Sequence, residues 1–367
     1  MSGAVVVTGL GIVSPAGLDV RDYWAQACGA RSVRHHAPAG LADEPPGPYG
    51  SAAQEQIWGR PQDDRIARLA LAAADWALAD AGISPRDLPE VRPDAVSAVT
   101  AAAATAIGAR PRTGGWPGSG SRTGPSPRGP RGAHGDAYRS FAWFYAVASG
   151  QISVRDGMKG LDAVAHARRQ IRQGNRLIVS GGVDAPVCPA GRAAGARPGG
   201  GALLVLEDAV GALARGAKIY GEVAGYGATF DPDPGGRRER GLRRAVELAL
   251  ADAWSLPGEV DAVFVPGLDA AEAATVTAVF GVHAVPVTAP RTMTGRRYQG
   301  AAAPLDLAAA LLAMQEGLIP PTADILPSPG YDLNLVLSPR TAELRTTVVL
   351  GRGHGGFNSA VVLRTVD

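Results

Sequence analysis

An α/β protein made of two related halves is what this sequence predicts, on three observations. β-branched runs alternate with helix-patterned stretches from end to end, and the alternation occurs in both halves. The runs are apolar throughout rather than alternately polar, as in strands covered on both faces. With 367 residues, 46% of them hydrophobic, there is material for one or two packed domains. Lys and Arg number 36 against 34 Asp and Glu, a formal charge of +2 that indicates neither a nucleic-acid scaffold nor an acidic solvating chain. The two cysteines, Cys28 and Cys188, lie far apart with no CxxC pair. A disulfide framework and a structural zinc site are therefore not expected, and a reducing cytoplasm is. The N-terminus lacks a basic leader and no apolar run reaches the length of a membrane span, so a soluble chain without an anchor is expected.

Taken in order, the run AVVVTG predicts a buried strand ended by a tight turn at Gly9 and Gly11. Gly9, Gly11 and Ser14 fall short of a dinucleotide fingerprint, and Pro15 follows at once, so the glycines are read as a structural turn rather than a cofactor loop. A short helix from Asp19 sets Tyr23, Trp24 and Ala27 on one side. His35 and His36, adjacent in a proline-rich loop, do not converge on one metal and are read as solvated. Residues 63–81 repeat apolar side chains at helical spacing, open with two acids and stop at Gly82, which predicts a helix. Residues 94–100 predict a strand, with the alanine run after it continuing as a packed turn.

Residues 108–136 are dominated by Gly, Pro, Ser and Arg and show no period, so a flexible surface loop is expected there. A basic nucleic-acid tether, which would lack the aromatics that stack bases, and a shifted reading frame are the alternatives. The helix over 138–147 then places Phe141, Phe144 and Tyr145 at i, i+3 and i+4, a core or interface stripe, with a ligand-lining role as the second reading. Only Gly160 separates Lys159 from Leu161, so no strand and no exposed nucleophile fits between the preceding turn and the helix over 162–172. Arg168, Arg169 and Arg172 read as the solvated basic end of that helix, matched to its dipole, with an acidic partner as the alternative. Residues 175–182 predict a strand and turn; Cys188, before a proline and with no histidine nearby in sequence, is read as structural.

A strand over 199–207 ends the first half. The second half repeats the alternation: a strand within 218–229, a helix over 241–253, a strand over 260–267, and a helix over 270–281. A strand over 284–290, a helix from about 304 to 316, and two strands, 346–353 and 358–364, complete it around the glycine turn at 354–356. The expected division is an N-terminal half, 1–215, and a C-terminal half, 216–367.

The motifs TGLGIVSPAG, DRIARLALAAADWALADAG, SFAWFYAV with GQISVRDGMKG, LDAVAHARRQIRQGNRLIVSGGVDAP, PRTMTGRRYQGAAAPLD, GLIPPTAD and GRGHGGFNSAVVLR stand in one order along most of the chain. Together they resemble the beta-ketoacyl synthases of the thiolase-like fold, and more narrowly the chain-length factor, the ketosynthase-like beta subunit of type II polyketide synthases. The resemblance implies two related α/β halves with helices sandwiched between mixed sheets. It also implies a catalytic ketosynthase alpha subunit as heterodimer partner and an acyl carrier protein carrying the growing chain. It implies no cofactor, no metal, no nucleic acid and no membrane.

Active members use a thiolate nucleophile and two histidines that serve decarboxylation and the oxyanions. The resemblance assigns no catalytic residue here. The nucleophile's elbow is absent before Leu161, Val-Pro-Gly-Leu stands at 265–268 where the first histidine belongs, and Arg296 stands at the second, with Arg291 at the preceding lysine position. A guanidinium stays protonated and cannot act as a neutral imidazole. Loss of the elbow is expected to remove a central strand. Gly353, His354, Gly355, Gly356, Phe357 and Asn358 form the glycine loop beside the vestigial site. Two further readings remain open at this point: an independent acyltransferase or decarboxylase working through Cys188 or His354, and a degenerate, inactive homologue.

Overall fold

The computed structural model describes residues 3–14, 16–17, 19–29, 65–83, 96–104, 160–185, 200–232, 240–294, 301–323, 325, 331–353 and 356–366. The first half holds β1 (Val5–Val13), α1 (Val20–Cys28), α2 (Arg65–Asp80), β2 (Val96–Ala104), α3 (Gly160–Arg172), β3 (Leu177–Ala185), β4 (Gly200–Asp208) and α4 (Ala209–Ala214). The second holds β5 (Gly221–Phe230), α5 (Gly241–Asp252), β6 (Ala262–Phe264), α6 (Ala270–Phe280), β7 (Pro286–Thr288), α7 (Ala302–Glu316), β8 (Leu318–Ile319), β9 (Asn334–Leu335), β10 (Arg340–Thr341), β11 (Thr346–Arg352) and β12 (Phe357–Arg364).

Ten strands join in one mixed sheet, ordered β2-β3-β4-β1-β5-β12-β11-β6-β7-β9. The order is a duplicated one. On one side β2 runs parallel to β3, and β3-β4-β1 are successively antiparallel. On the other side β6 runs parallel to β11, and β11-β12-β5 are successively antiparallel. The two sets meet through β1 and β5, paired only at Val6 with Glu222 and Val7 with Gly221. In the second set β7 continues the sheet beyond β6. Among the described residues no strand takes the corresponding place beyond β2. By the duplication, the equivalent place in the first set lies beyond β2; the expected loss of a central strand with the elbow falls on residues before Gly160 that lie outside the described ones.

Alternate residues of each strand feed different cores, as the two-residue period requires. Leu204 and Leu206 join α3 and α7 in one cluster, whereas Leu203 and Val205 pack with Ala73 and Ala77 of α2. Val348, Leu350, Ala360 and Val362 likewise pack against Val246 and Ala249 of α5. Helix α7 is buried on every side from Ala303 to Met314, so it lies inside the molecule with α3 beside it. The helices expected within the described residues are present, while the one expected over 138–147 lies outside them. Tyr23 and Ala27 of α1 are buried as their spacing predicts, with Trp24 packed against the same cluster.

Several strand boundaries differ from expectation, two of them for a steric reason. β1 does not turn at Gly9 and Gly11 but runs through both, because α2 crosses so closely that a Cβ there would strike the Ala77 and Ala73 carbonyl oxygens. β3 likewise runs through Gly181 and Gly182, where a Cβ on Gly181 would strike the Ala202 carbonyl of β4. The alanines after Thr100 are strand rather than turn, since Ala101 to Ala104 continue the parallel register with β3. β6 and β7 are three residues each, shorter than the apolar runs that contain them.

A local duplication underlies the global one. α2 ends in Ala-Leu-Ala-Asp-Ala at residues 77–81, and α5 ends in the same five residues at 249–253. Both ends close alike: Ile83 N donates to Leu78 O at 2.9 Å and Ser255 N to Leu250 O at 3.0 Å, bonds of the Schellman type. Gly225 and Gly227 of β5 bring α5 as close as Gly9 and Gly11 bring α2. Each helix-end aspartate then accepts a backbone N–H from the strand between its glycines, Leu10 N to Asp80 at 2.8 Å and Tyr226 N to Asp252 at 3.0 Å.

Candidate functional site

Strands β6, β7 and β11 are mutually parallel, so their C-terminal ends open toward the same side of the sheet, where α/β folds place their sites. Three segments gather there: residues 265–269 after β6, the 3₁₀ turn Pro290–Thr294 after β7, and the turn between β11 and β12.

The first segment is shaped by a capping box. Asp269 caps α6 by accepting Ala271 N at 3.0 Å and Glu272 N at 2.9 Å. The Glu272 carboxylate turns back to accept Gly267 N at 3.2 Å, Leu268 N at 2.6 Å and Asp269 N at 3.3 Å. Burial raises its pKa, with the Asp269 charge adding to the rise and these three N–H groups opposing it. Leu268 sits at φ 63° with its side chain 5% exposed, so an apolar group points inward from this stretch. Arg352, at the end of β11, donates to the free Asp269 oxygen and ties the first segment to the third.

The second segment carries Arg291, 5% exposed. Its Nε donates to Asp306 Oδ1 of α7 at 3.1 Å and its Nη2 to Pro266 O at 2.9 Å. Nη2 also lies 2.9 Å from Asp306 Oδ2, within ion-pair distance but not aligned as a hydrogen bond. Burial pushes the Asp306 carboxyl up to about 7, the Arg291 charge and hydrogen bond pulling it down and the Glu272 charge pushing it further up. At 1% exposure Asp306 titrates as part of the core, and its protonation bears on stability. Thr292 Oγ1 donates to Ala289 O at 2.7 Å and accepts Ala323 N at 3.0 Å, and Met293 is 1% exposed. The turn is thus welded into the core.

The third segment rests on β5. Asn358 Nδ2 donates to Asp231 Oδ2 at 2.7 Å and to Gly356 O at 3.1 Å, while Asp231 N donates to Gly356 O at 2.8 Å. Asp231 Oδ1 accepts Gly241 N at 3.1 Å, anchoring the start of α5 as well. Gly356 has φ +100°, and a Cβ there would strike the Asp231 carbonyl. Gly353 N donates to Phe357 O at 2.6 Å, and the Phe357 ring lies 4.9 Å from that of Phe230.

Of the residues singled out in the sequence, Gly353, Gly356, Phe357 and Asn358 come together in this way. Phe141, Phe144, Tyr145, Arg296, His354, Gly355, Cys188, His35, His36 and the segment 108–136 lie outside the described residues. Sequence reasoning missed Asp231, Glu272 and Asp306. The Asp269-x-x-Glu272 spacing was a readable capping signal, and a lone Asp306 in an otherwise apolar helix was a readable buried charge. Asp231 carried no local signal, since Asn358 and Gly356 are more than 100 positions away and Gly241 is 10 positions away. Among the described residues no group of three His, Cys, Asp or Glu side chains is arranged to hold a metal, and no helix is long and apolar enough to cross a membrane.

A duplicated arrangement of mixed sheet and helices, with its site at the shared C-terminal strand ends, is the thiolase-like fold of the condensing enzymes. The chain belongs to the beta-ketoacyl synthase family: the model of the N-terminal domain matches residues 2–204 and that of the C-terminal domain residues 220–325. Within it, the chain is 43% identical to the actinorhodin polyketide beta-ketoacyl synthase 2 of Streptomyces coelicolor, covering 98% of both chains. It is 42% identical to the tetracenomycin polyketide synthase ketoacyl synthase beta subunit of Streptomyces glaucescens, again over 98% of both. Against the actinorhodin beta-ketoacyl synthase 1 of Streptomyces coelicolor the identity falls to 30%, over 99% of this chain and 89% of that one. The actinorhodin synthase 2 alignment runs over 418 positions, 51 more than the 367 residues here, so that relative carries segments this chain lacks. The fold matches the solved ishigamide ketosynthase/chain length factor with TM-score 0.73 and 24% identity, covering 99% of both chains. It also matches a type II polyketide synthase acyl-carrier protein complex with its hexaketide-bound ketosynthase, with TM-score 0.74 and 23% identity over 99% of both.

Proposed function

We propose that the chain is a non-catalytic, ketosynthase-like chain-length factor. In this reading it pairs with a catalytic ketosynthase and helps shape the cavity where a poly-β-keto chain grows on an acyl carrier protein. The observation that carries it is the contrast in identity within one polyketide system, 43% to synthase 2 against 30% to synthase 1. The site's chemistry supports the same reading. Condensation needs a thiolate and donors aimed at developing oxyanions. The stretch 265–268 instead presents buried Leu268, and the Arg291 guanidinium is already engaged by Asp306 and Pro266 O.

Within this proposal Phe141, Phe144 and Tyr145 line the subunit interface or tunnel wall, and Arg296 occupies the place of a catalytic histidine. The loop of Gly353, His354, Gly355, Gly356, Phe357 and Asn358 borders the vestigial site. The two halves divide near residue 215, between β4 and β5, and the assembly works in the cytoplasm. Co-expression with a catalytic ketosynthase of a type II system tests the pairing: the two chains are expected to co-purify at 1:1. A chain that remains alone under those conditions contradicts the proposal.

A further inference from the structure

Beneath the C-terminal end of α3 lies a cavity of about 620 Å³ whose lining includes Arg168, Arg169, Arg172, Tyr226, Ala228 and Asp252. It lies at the seam of the molecule, because α3 belongs to the first half while β5 and α5 belong to the second. Its size is that of a small-molecule site. Three guanidinium groups face one carboxylate in the lining, and that carboxylate is already committed. Asp252 Oδ2 accepts Arg168 Nη1 at 2.6 Å and Tyr226 N at 3.0 Å.

Arg168 is the fixed member of the set. It is 6% exposed, and its second amino group donates to Ala224 O at 2.5 Å. Arg172 uses Nε on Gly3 O at 3.1 Å, and among the described residues its two amino groups have no acceptor. Arg169 is exposed, and its side chain makes no hydrogen bond or ion pair with a described residue. Burial and the nearby Arg168 charge lower the Arg172 pKa, and Asp252 and Glu222 only partly offset this. Tyr226 N points out of the sheet toward Asp252, so the two-residue period turns Ala228 N to the same edge, on the cavity side. Attraction to the helix dipole accounts for Arg169 and Arg172 standing in the last turn. It does not account for a cavity under them, nor for a third arginine held rigidly inside.

We propose that this cavity is a binding site for a phosphate-type oxyanion, with the Arg169 and Arg172 guanidinium groups as its ligands and the Arg168–Asp252 pair as their support. Planar guanidinium groups match phosphate oxygens two at a time, which lysines do not. Inorganic phosphate and a phosphate monoester share this chemistry, and the remaining volume admits the ester's organic part.

Titration calorimetry on the full chain, in whatever complex it purifies in, tests the site with inorganic phosphate and with glycerol 3-phosphate at constant ionic strength. Saturable binding is expected, weakened at least ~10-fold in Arg169→Ala/Arg172→Ala and partly retained in Arg169→Lys/Arg172→Lys. Tighter binding of the ester identifies the ligand as an ester; tighter binding of phosphate identifies the free ion. Should the double variant lose its native circular dichroism, Arg169→Ala alone, which removes no hydrogen bond or ion pair among the described residues, carries the test with a smaller loss in the same direction. Absence of saturable binding to both ligands, affinity unchanged in the variants, or binding of an acidic protein without either ligand overturns the proposal.

Discussion

In both halves of the molecule a helix ending in Ala-Leu-Ala-Asp-Ala lies on a strand with two glycines, yet the residue that follows differs. The first half has Gly82 at φ +67°, and the second has Trp254 at φ 53° with 94% of its surface exposed. The shared part is what packing demands: small residues at the crossing, and an aspartate that satisfies an outward-facing strand N–H. The differing part lies where packing makes no demand, since a Cβ at Gly82 would meet nothing within 4 Å. The aspartates diverge in the same way. Asp80 also accepts the Tyr220 hydroxyl, at 2.8 Å, whereas Asp252 holds the buried Arg168. The duplicated scaffold is thus kept where backbones touch and is free to specialise one residue away.

The sharpest asymmetry is the buried Arg291–Asp306 pair of the second half. Arg291→Met leaves Asp306 buried without its cation and is expected to cost about 3–5 kcal/mol at pH 8, read by urea unfolding. The cost is expected to be smaller at pH 5. A carboxyl whose folded pKa is raised contributes stability that is present below its ordinary, unfolded value and is lost as pH rises through the folded value. In the unaltered chain that loss runs from the ordinary carboxylate range to about 7. Without the guanidinium that holds the value down, the loss continues above 7. A cost independent of pH would place Asp306 outside this coupling.

Gly11→Ala and Gly227→Ala probe the equivalent helix crossings. Each forces a methyl against a helix carbonyl and is expected to cost about 1–3 kcal/mol by overpacking. Near-equal losses in thermal or urea unfolding sharpen the pseudo-symmetry, and tolerance of one alone breaks it. Exchange at the caps is expected to be milder and of opposite sign in the two halves. Trp254→Gly should raise stability by about 1 kcal/mol and Gly82→Trp lower it by about as much, because left-handed backbone is strained for any side chain.

The smallest effect concerns the seam. The Cys28 thiol on α1 is pushed up to about 11, by burial first and then by the Glu316 charge at the end of α7. It should therefore react with iodoacetamide at pH 8 far more slowly than a free cysteine, with no change in stability. Reaction at the free rate would mean that Cys28 is not half-buried beside the Glu316 charge.

Helices were legible in the sequence because their apolar faces repeat at 3.6 residues and their ends carry glycine or acid. α2, α5 and the burial of Tyr23 could be read directly. Strands interrupted by glycine were not legible as such. Gly9, Gly11, Gly181 and Gly182 have the residue type of turns, and only the closeness of α2 or of β4, set by residues tens of positions away, makes them strand. The three-residue β6 and β7 are too short for any period to show. At the site, Gly353, Gly356, Phe357 and Asn358 could be named from the motif they form. Asp231 could not, because its bonds to Asn358 and Gly356 exist only once β5 and β12 pair. The duplication itself was visible as alternation, but its consequence was not: the place equivalent to β7 lies beside β2, at the end of the described sheet.

The claim that the chain supports catalysis by a partner without performing it is tested most directly by reconstitution. The chain, a catalytic ketosynthase that co-purifies with it and a malonyl-loaded acyl carrier protein are assembled, and polyketide product is measured with each component omitted. The account predicts product of one defined length only when both subunits are present, and no condensation or malonyl release by this chain with the carrier alone. Turnover by this chain without the ketosynthase, or the same product from the ketosynthase without this chain, would contradict it.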